Sequence, residues 1–95
     1  MGRIFYVYIL TNKPGGLFYI GITGNLIRRI EQHKEDVVGG FTKKYQLHCL
    51  VYYETHKTAI AAITREKQLK KWKRDWKIRL IKTENPDWRD LSDDF

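Results

Sequence analysis

Cysteine, methionine and proline are almost absent from these 95 residues, with one, one and two copies respectively. A lone cysteine, Cys49, can close no disulfide within the chain and belongs to no Cys/His metal cluster. Lying in an apolar stretch, it reads as a small core residue in a reducing, cytoplasmic setting. Long apolar runs are missing too. Nothing approaches the ~20 apolar residues needed to cross a bilayer, so no membrane partner is expected. Near the N-terminus one arginine precedes the seven-residue apolar run 4–10, with no small-residue cleavage site after it, which is a poor signal-peptide pattern. Tyr6 stands where a myristoylation signal after Gly2 needs Ser or Thr. There is no repeat, no low-complexity segment, no Gly-rich phosphate loop and no Ser-His-Asp set to direct the reading elsewhere.

Acidic residues are scarce except at the end. The formal charge is +7, yet residues 83–95 hold five acids against one base, which leaves +11 on residues 1–82. Such an excess points to a polyanionic partner, nucleic acid before membrane. With 42% apolar residues, the length suits one domain and no second core. Residues 1–91 are expected to form it, as a monomer, with 92–95 as a frayed acidic end.

What is abundant is tyrosine in strand-like surroundings. Residues 4–10 and 18–22 are apolar, aromatic and β-branched, and the turn cluster Thr11-Asn12-Lys13-Pro14-Gly15-Gly16 separates them. This predicts a β-hairpin. Alternation places Tyr6, Tyr8 and Leu10 on one face and Phe5, Val7 and Ile9 on the other. With a suitable register, the phenols of Tyr8 and Tyr19 converge. Residues 47–54 read as a third strand.

Helical periodicity fills the remainder. Asn25 is a plausible cap for a helix from residue 26 to 35, with Leu26, Ile30 and Val37 on its stripe and Ile27 beside it. Arg29 and His33, spaced i and i+4, flank that stripe, whereas Arg28 points outward. Residues 38–46 read as a loop whose Lys43 and Lys44, mixed with aromatics, suit phosphate contact and base stacking. Thr58 caps a second helix from residue 59 to about 73, with an apolar face of Ala59, Ala62, Ile63 and Leu69. Glu66 falls inside that face, and a carboxylate there must be paired, protonated or bound to a cation. A third helix is expected over 76–82, capped at Arg74-Asp75 and stopped by Asn85-Pro86. Residues 65–82 hold nine bases and two acids, with Trp72 and Trp76 interleaved. Lys70, Lys71, Lys73, Arg74 and Lys77 are the candidate phosphate contacts there. Trp88 and Leu91 are placed to pin the tail. The expected fold class is α+β, a small α/β sandwich with a three-stranded antiparallel sheet flanked by helices in the order β-β-α-β-α-α.

Tyr6-Val7-Tyr8, then Tyr19-Ile20-Gly21 after ten residues, then Arg28-Arg29 with His33, then Arg65-Glu66, resembles the GIY-YIG nuclease superfamily along nearly the whole chain. The second triplet matches letter for letter. In the first, Tyr6 replaces Gly and Val7 replaces Ile. The resemblance implies a nucleic-acid endonuclease, acting on DNA before RNA and structure-specific in repair or recombination. It implies that Tyr8 or Tyr19 activates the attacking water and that Arg29 stabilises the scissile phosphate. His33 matches a histidine of several branches, and Glu66 matches the glutamate that holds one divalent ion, Mg²⁺ or Mn²⁺. Asn85 is the one candidate for an asparagine some members use, at loose spacing, and Gly21 and Gly24 match positions that constrain the backbone. Tyr8, Tyr19, Arg29 and Glu66 are then expected on one concave face. A protein partner is the further source of substrate specificity. A non-catalytic nucleic-acid-binding module on the same fold is the alternative, which the basic surface alone would support.

Overall fold

The computed structural model describes residues 3–95. Met1 and Gly2, and with them the lipidation reading, lie outside the described residues. Strand β1 (Phe5–Thr11) is the middle of a three-stranded sheet of order β2-β1-β3, antiparallel to both β2 (Phe18–Thr23) and β3 (Cys49–His56). A central strand must be apolar on both faces, and Val7, Tyr8, Ile9 and Leu10 are all fully buried. The β1–β2 turn relies on Gly15 at φ +66°, a conformation that side chains resist. Asn12 Oδ1 accepts the Leu17 N–H across it at 3.0 Å.

Each sheet face has its own helices. Tyr8, Leu10 and Leu50 pack under α1 (Leu26–Lys34) through Leu26 and Ile30. Val7, Ile9 and Ile20 pack under α3 (Ala59–Lys71) and α4 (Arg74–Glu84) through Ala62, Leu69 and Ile81. The result is the α+β sandwich expected, and among the described residues no helix is long and apolar enough to cross a membrane. The caps predicted at Asn25 and Thr58 are made, whereas the one expected at Arg74-Asp75 is not: α4 is entered through Lys73 with no side-chain cap. Asn25 Oδ1 accepts the Arg28 N–H, and Thr58 Oγ1 accepts that of Ala61, each at 3.1 Å; such a cap contributes about 1 kcal/mol.

Several boundaries differ from expectation. The 38–46 stretch contains a short helix, α2 (Phe41–Lys44), entered through Gly40 at φ +75°. β3 starts at Cys49 and runs to His56, because Gln46 turns through φ +55° first. α1 ends at Lys34 and Asp36 also takes φ +55°, so Val37 leaves the stripe and is exposed. On α3 only Ala62 and Leu69 are buried, a narrower face than periodicity suggested. α4 begins at Arg74, after Trp72 and Lys73 adopt extended angles. The end expected to fray instead forms a 3-10 turn, Leu91–Asp94, capped by Asp90. Asp90 also holds Lys34 at 2.6 Å and accepts the Leu50 N–H at 3.3 Å, while Phe95 meets Tyr53 edge to face.

Candidate functional site

Tyr8 of β1 faces Gly21 of β2 directly across the ladder. A Cβ on Gly21 would lie 2.6 Å from the Tyr8 hydroxyl, 2.7 Å from its Cζ and 2.9 Å from Tyr19 Cε2. The Tyr-Ile-Gly triplet therefore does two things on one face: Tyr19 supplies the second phenol, and Gly21 makes room for the first. The two rings stand 6.2 Å apart at 45°. No comparable constraint holds Gly24, whose Cβ would meet open space and whose φ is not positive.

His33 closes the cluster from α1, its ring 5.8 Å from that of Tyr8 and 5.6 Å from that of Tyr19. Its Nε2 lies 3.0 Å from the Tyr8 hydroxyl and its Nδ1 3.3 Å from Thr42 Oγ1. Burial, then the neighbouring Arg29 and His48, push its pKa down to about 4, so the ring is neutral at physiological pH. Burial also holds the Tyr8 phenol well above its usual range, assisted by Tyr19 and opposed by Arg29. The tautomer that satisfies both contacts has Tyr8 O–H donating to Nε2 and Nδ1–H donating to Thr42. Helix α1 exposes Arg28 and half-buries Arg29. A 230 Å³ depression beside Arg29 is lined also by Thr23, Asn25, Arg28 and Gln32.

Tyr8, Tyr19, Arg29 and His33 thus gather on one face. Glu66 does not join them from that side. It sits on α3, whose Ala62 and Leu69 pack with Val7 and Ile9 on the reverse of the sheet. The expected convergence on one concave face is corrected accordingly. Periodicity ties Glu66 to its own helix's stripe, and that stripe chose the other face. α3 does contact β2, the edge strand that carries Tyr19. The Glu66 side chain is only 17% exposed, and Lys70, at 3.3 Å, contacts Oε2 alone. Among the described residues no buried side-chain oxygen lacks a partner, so Oε1 is open to solvent. No group of three His, Cys, Asp or Glu is placed to cage a metal among them. This donor set fits a hydrated Mg²⁺ or Mn²⁺ shared with a substrate phosphate, and does not fit a permanently caged ion.

The basic candidates divide by what already occupies them. Lys43, Lys44, Lys70, Lys71 and Lys73 are exposed. Arg74 instead donates to the Gly15 and Gly16 carbonyls and stacks on Phe18, 4.5 Å from the ring centroid, clasping α4 to the hairpin. Lys77 reaches the Lys70 carbonyl at 3.4 Å, at the end of α3. Asn85 is buried, and its amide is fully spent: Nδ2 donates to the Val51 and Arg89 carbonyls at 3.1 and 2.9 Å, and Oδ1 accepts the Arg89 N–H at 3.2 Å. Val51 is the residue skipped by the ladder at the irregularity between Ile9 and Leu10. Asn85 satisfies a carbonyl the sheet leaves over.

Two groups escaped the sequence reading. Thr42, which fixes the His33 ring, lay in a supposed loop. Glu54, taken as a strand end, organises a cluster: Tyr52 donates to it at 2.8 Å, His56 Nε2 lies 2.7 Å away, and Arg65 Nε donates to both its oxygens at 3.1 and 3.2 Å. Burial works against the charge, yet these bonds hold the Glu54 carboxyl below its usual range. Alternation along 52, 54 and 56 was the available signal.

Comparison with known proteins gives the family. UPF0213 proteins of Staphylococcus aureus strains Mu3, Mu50 and N315 are each 35% identical over 77 residues, which is 81% of this chain and 93% of theirs. No solved structure matches. The family model described as the GIY-YIG catalytic domain matches residues 4–79, the span that holds both tyrosines, Arg29, His33 and Glu66. The chain belongs to the GIY-YIG nuclease superfamily.

Proposed function

We propose that the protein is a metal-dependent endonuclease that hydrolyses nucleic-acid phosphodiester bonds, DNA before RNA, at the branched structures of repair or recombination. The observation that carries this is the assembly of Tyr8, Tyr19, Arg29 and His33 on one face of a GIY-YIG domain. Hydrolysis needs an activated water, charge relief on the phosphoryl oxygens and help for the leaving alkoxide. Tyr8 is fully buried while Tyr19 is part-exposed, which makes Tyr19 the phenol that meets the water. Behind it, neutral His33 accepts the hydrogen bond of the Tyr8 hydroxyl and fixes the Tyr8 ring, and Thr42 fixes His33. Arg29 supplies rigid donors to the phosphate. Glu66 is the carboxylate that would hold a divalent ion, and such an ion would supply charge relief to the phosphate or the leaving oxygen. The protein acts as a cytoplasmic monomer, and a protein partner assists substrate choice.

The placement of Glu66 on the reverse of the sheet favours the alternative, a non-catalytic nucleic-acid-binding module. Incubation of purified protein with branched, single-stranded and duplex DNA and RNA, with Mg²⁺, Mn²⁺ or EDTA, separates the two. Metal-dependent cleavage supports the nuclease. Binding without cleavage of any substrate supports the module.

A further inference from the structure

The corner between α3 and α4 brings two indoles together on the surface. Trp72 caps the end of α3 and Trp76 lies in the first turn of α4, their rings 5.9 Å apart at 79°. Between them and Arg79, Leu80 and Thr83 opens a 320 Å³ groove, at the small end of ligand pockets. Trp76 remains 51% exposed, although tryptophan is the side chain with the most to gain from burial. Arg65 stacks on Trp72 with its guanidinium carbon 5.0 Å from the ring centroid. Glu54 grips Arg65 through Nε alone. Among the described residues neither of the terminal Arg65 nitrogens is both buried and without a partner, so the guanidinium is oriented by Glu54 with its outer edge available to an anion.

Perpendicular aromatic walls leave a slot for a flat ring, with one indole against its face and the other at its edge. Two cations adjoin the slot, Arg79 in its lining and Arg65 on the Trp72 ring, so the complementary ligand is a planar group with neighbouring negative charge. An apolar helix of a partner protein would fit the indoles and gain nothing from those cations. We infer that the Trp72–Trp76 groove takes one unpaired base of a nucleic-acid strand, with Arg65 and Arg79 on the adjoining phosphates. This rests on the nucleic-acid reading of the catalytic face and deepens it: the substrate carries a single-stranded segment beside the cleaved bond. The groove lies on the α3–α4 side of the sheet, across from Tyr8. The molecule measures only 36 × 29 × 26 Å, and a strand of several nucleotides, the usual footprint of such surfaces, passes from one face to the other.

The test uses the full chain with Ca²⁺ in place of Mg²⁺, and fluorescence-anisotropy titrations of a labelled duplex with a single-stranded flap. Parallel titrations use the same flap made of abasic sugars, and a blunt duplex. Trp76→Ala is expected to weaken flap binding about 5- to 150-fold, the range of one stacked base, and to leave abasic-flap and blunt-duplex binding unchanged. Trp76→Phe should restore most of the loss. Arg79→Ala should lower the slope of log affinity against log salt by about one. Equal affinity of the unsubstituted protein for the base-bearing and abasic flaps overturns the inference, as does a dimer in sedimentation that Trp76→Ala dissolves. If Trp76→Ala discriminates as expected while no substrate is cut in Mg²⁺, the groove stands and the nuclease reading falls. If cleavage is intact and Trp76→Ala changes nothing, the groove falls alone. Absence of binding to every oligonucleotide at low salt sinks both.

Discussion

The Tyr8 hydroxyl occupies the space that a side chain on Gly21 would fill, 2.6 Å from where its Cβ would stand. Gly21 has no positive φ to protect, so the constraint is steric and one methyl tests it. In Gly21→Ala the methyl must displace both a fully buried phenol and the Tyr19 ring. Overpacking of this kind costs roughly 1–3 kcal/mol. The expected outcome is a lowered melting temperature together with loss of cleavage larger than the lost folded fraction, because both tyrosines move. Gly24→Ala, with open space around it, is the control and should change neither.

His33 makes the protein acid-sensitive in a defined window. Its pKa in the folded protein is lowered to about 4, against the ordinary histidine value of 6.5. Between those values the unfolded chain takes up a proton that the folded chain refuses. Stability therefore rises with pH across the window: it is complete above about 6.5 and falls away toward pH 4, by up to roughly 3 kcal/mol. His33→Phe removes the titration but strands the Tyr8 hydroxyl, costing about 1–3 kcal/mol at neutral pH. Urea melts from pH 4.5 to 8 on both proteins check this. The difference between the profiles isolates His33 from the other titrating groups, and its slope should vanish in the variant.

The hairpin, the third strand and both capped helices were legible because their signals are local: β-branched and aromatic runs, a Pro-Gly-Gly turn, Asn25 and Thr58 before helical periods. α2 was not, since two glycines and a four-residue length hide a helix whose main work is covering His33. His33 accordingly read as a flank and proved 1% exposed. Periodicity gave the angle of Glu66 around its own axis correctly, part-covered between Ala62 and Leu69. It carries no information about which sheet face that axis lies over. Residues 92–95 read as a frayed end from their terminal position, yet Asp90 just before them bonds Ser92 as well as Lys34 and Leu50. Arg74 and Lys77 looked like free cations because the carbonyls they serve are distant in sequence or at a helix end.

Asn85 should prove structural. Its three hydrogen bonds join α4, the Arg89 turn and the Val51 carbonyl. Asn85→Ala leaves that carbonyl unpaired beneath the protein surface, a loss of about 2–3 kcal/mol. Cleavage per folded molecule should be unchanged when assayed well below the melting temperature. Asn85→Asp should fare no better, because a carboxylate cannot donate to Val51. An activity loss in Asn85→Ala out of proportion to its stability loss would instead give it a part in the chemistry.

Glu66, Arg29 and Arg28 together decide between enzyme and binding module. Glu66→Gln keeps the size and helix propensity of the side chain and removes its charge. The contact it gives up is an i,i+4 pair with an exposed lysine, 3.3 Å apart, of a kind worth only about 0.3–0.5 kcal/mol. Relief of a half-covered carboxylate offsets even that. The melting temperature should therefore hold or rise slightly, nucleic-acid binding should persist, and cleavage should collapse, because the ion loses its protein carboxylate. Arg29→Ala should also abolish cleavage by removing charge relief at the phosphate, a loss on the order of 10²- to 10³-fold for one such donor. Arg28→Ala, whose side chain is exposed, should leave turnover near that of the unsubstituted protein. Thermal melts, anisotropy binding and cleavage run side by side on the three variants separate the roles. Full cleavage by Glu66→Gln would refute its metal role and leave the face built by Tyr8, Tyr19, Arg29 and His33 to work with an ion held by the substrate. A drop in melting temperature with a merely proportional loss of cleavage would make Glu66 an ion-pair partner of Lys70 and nothing more.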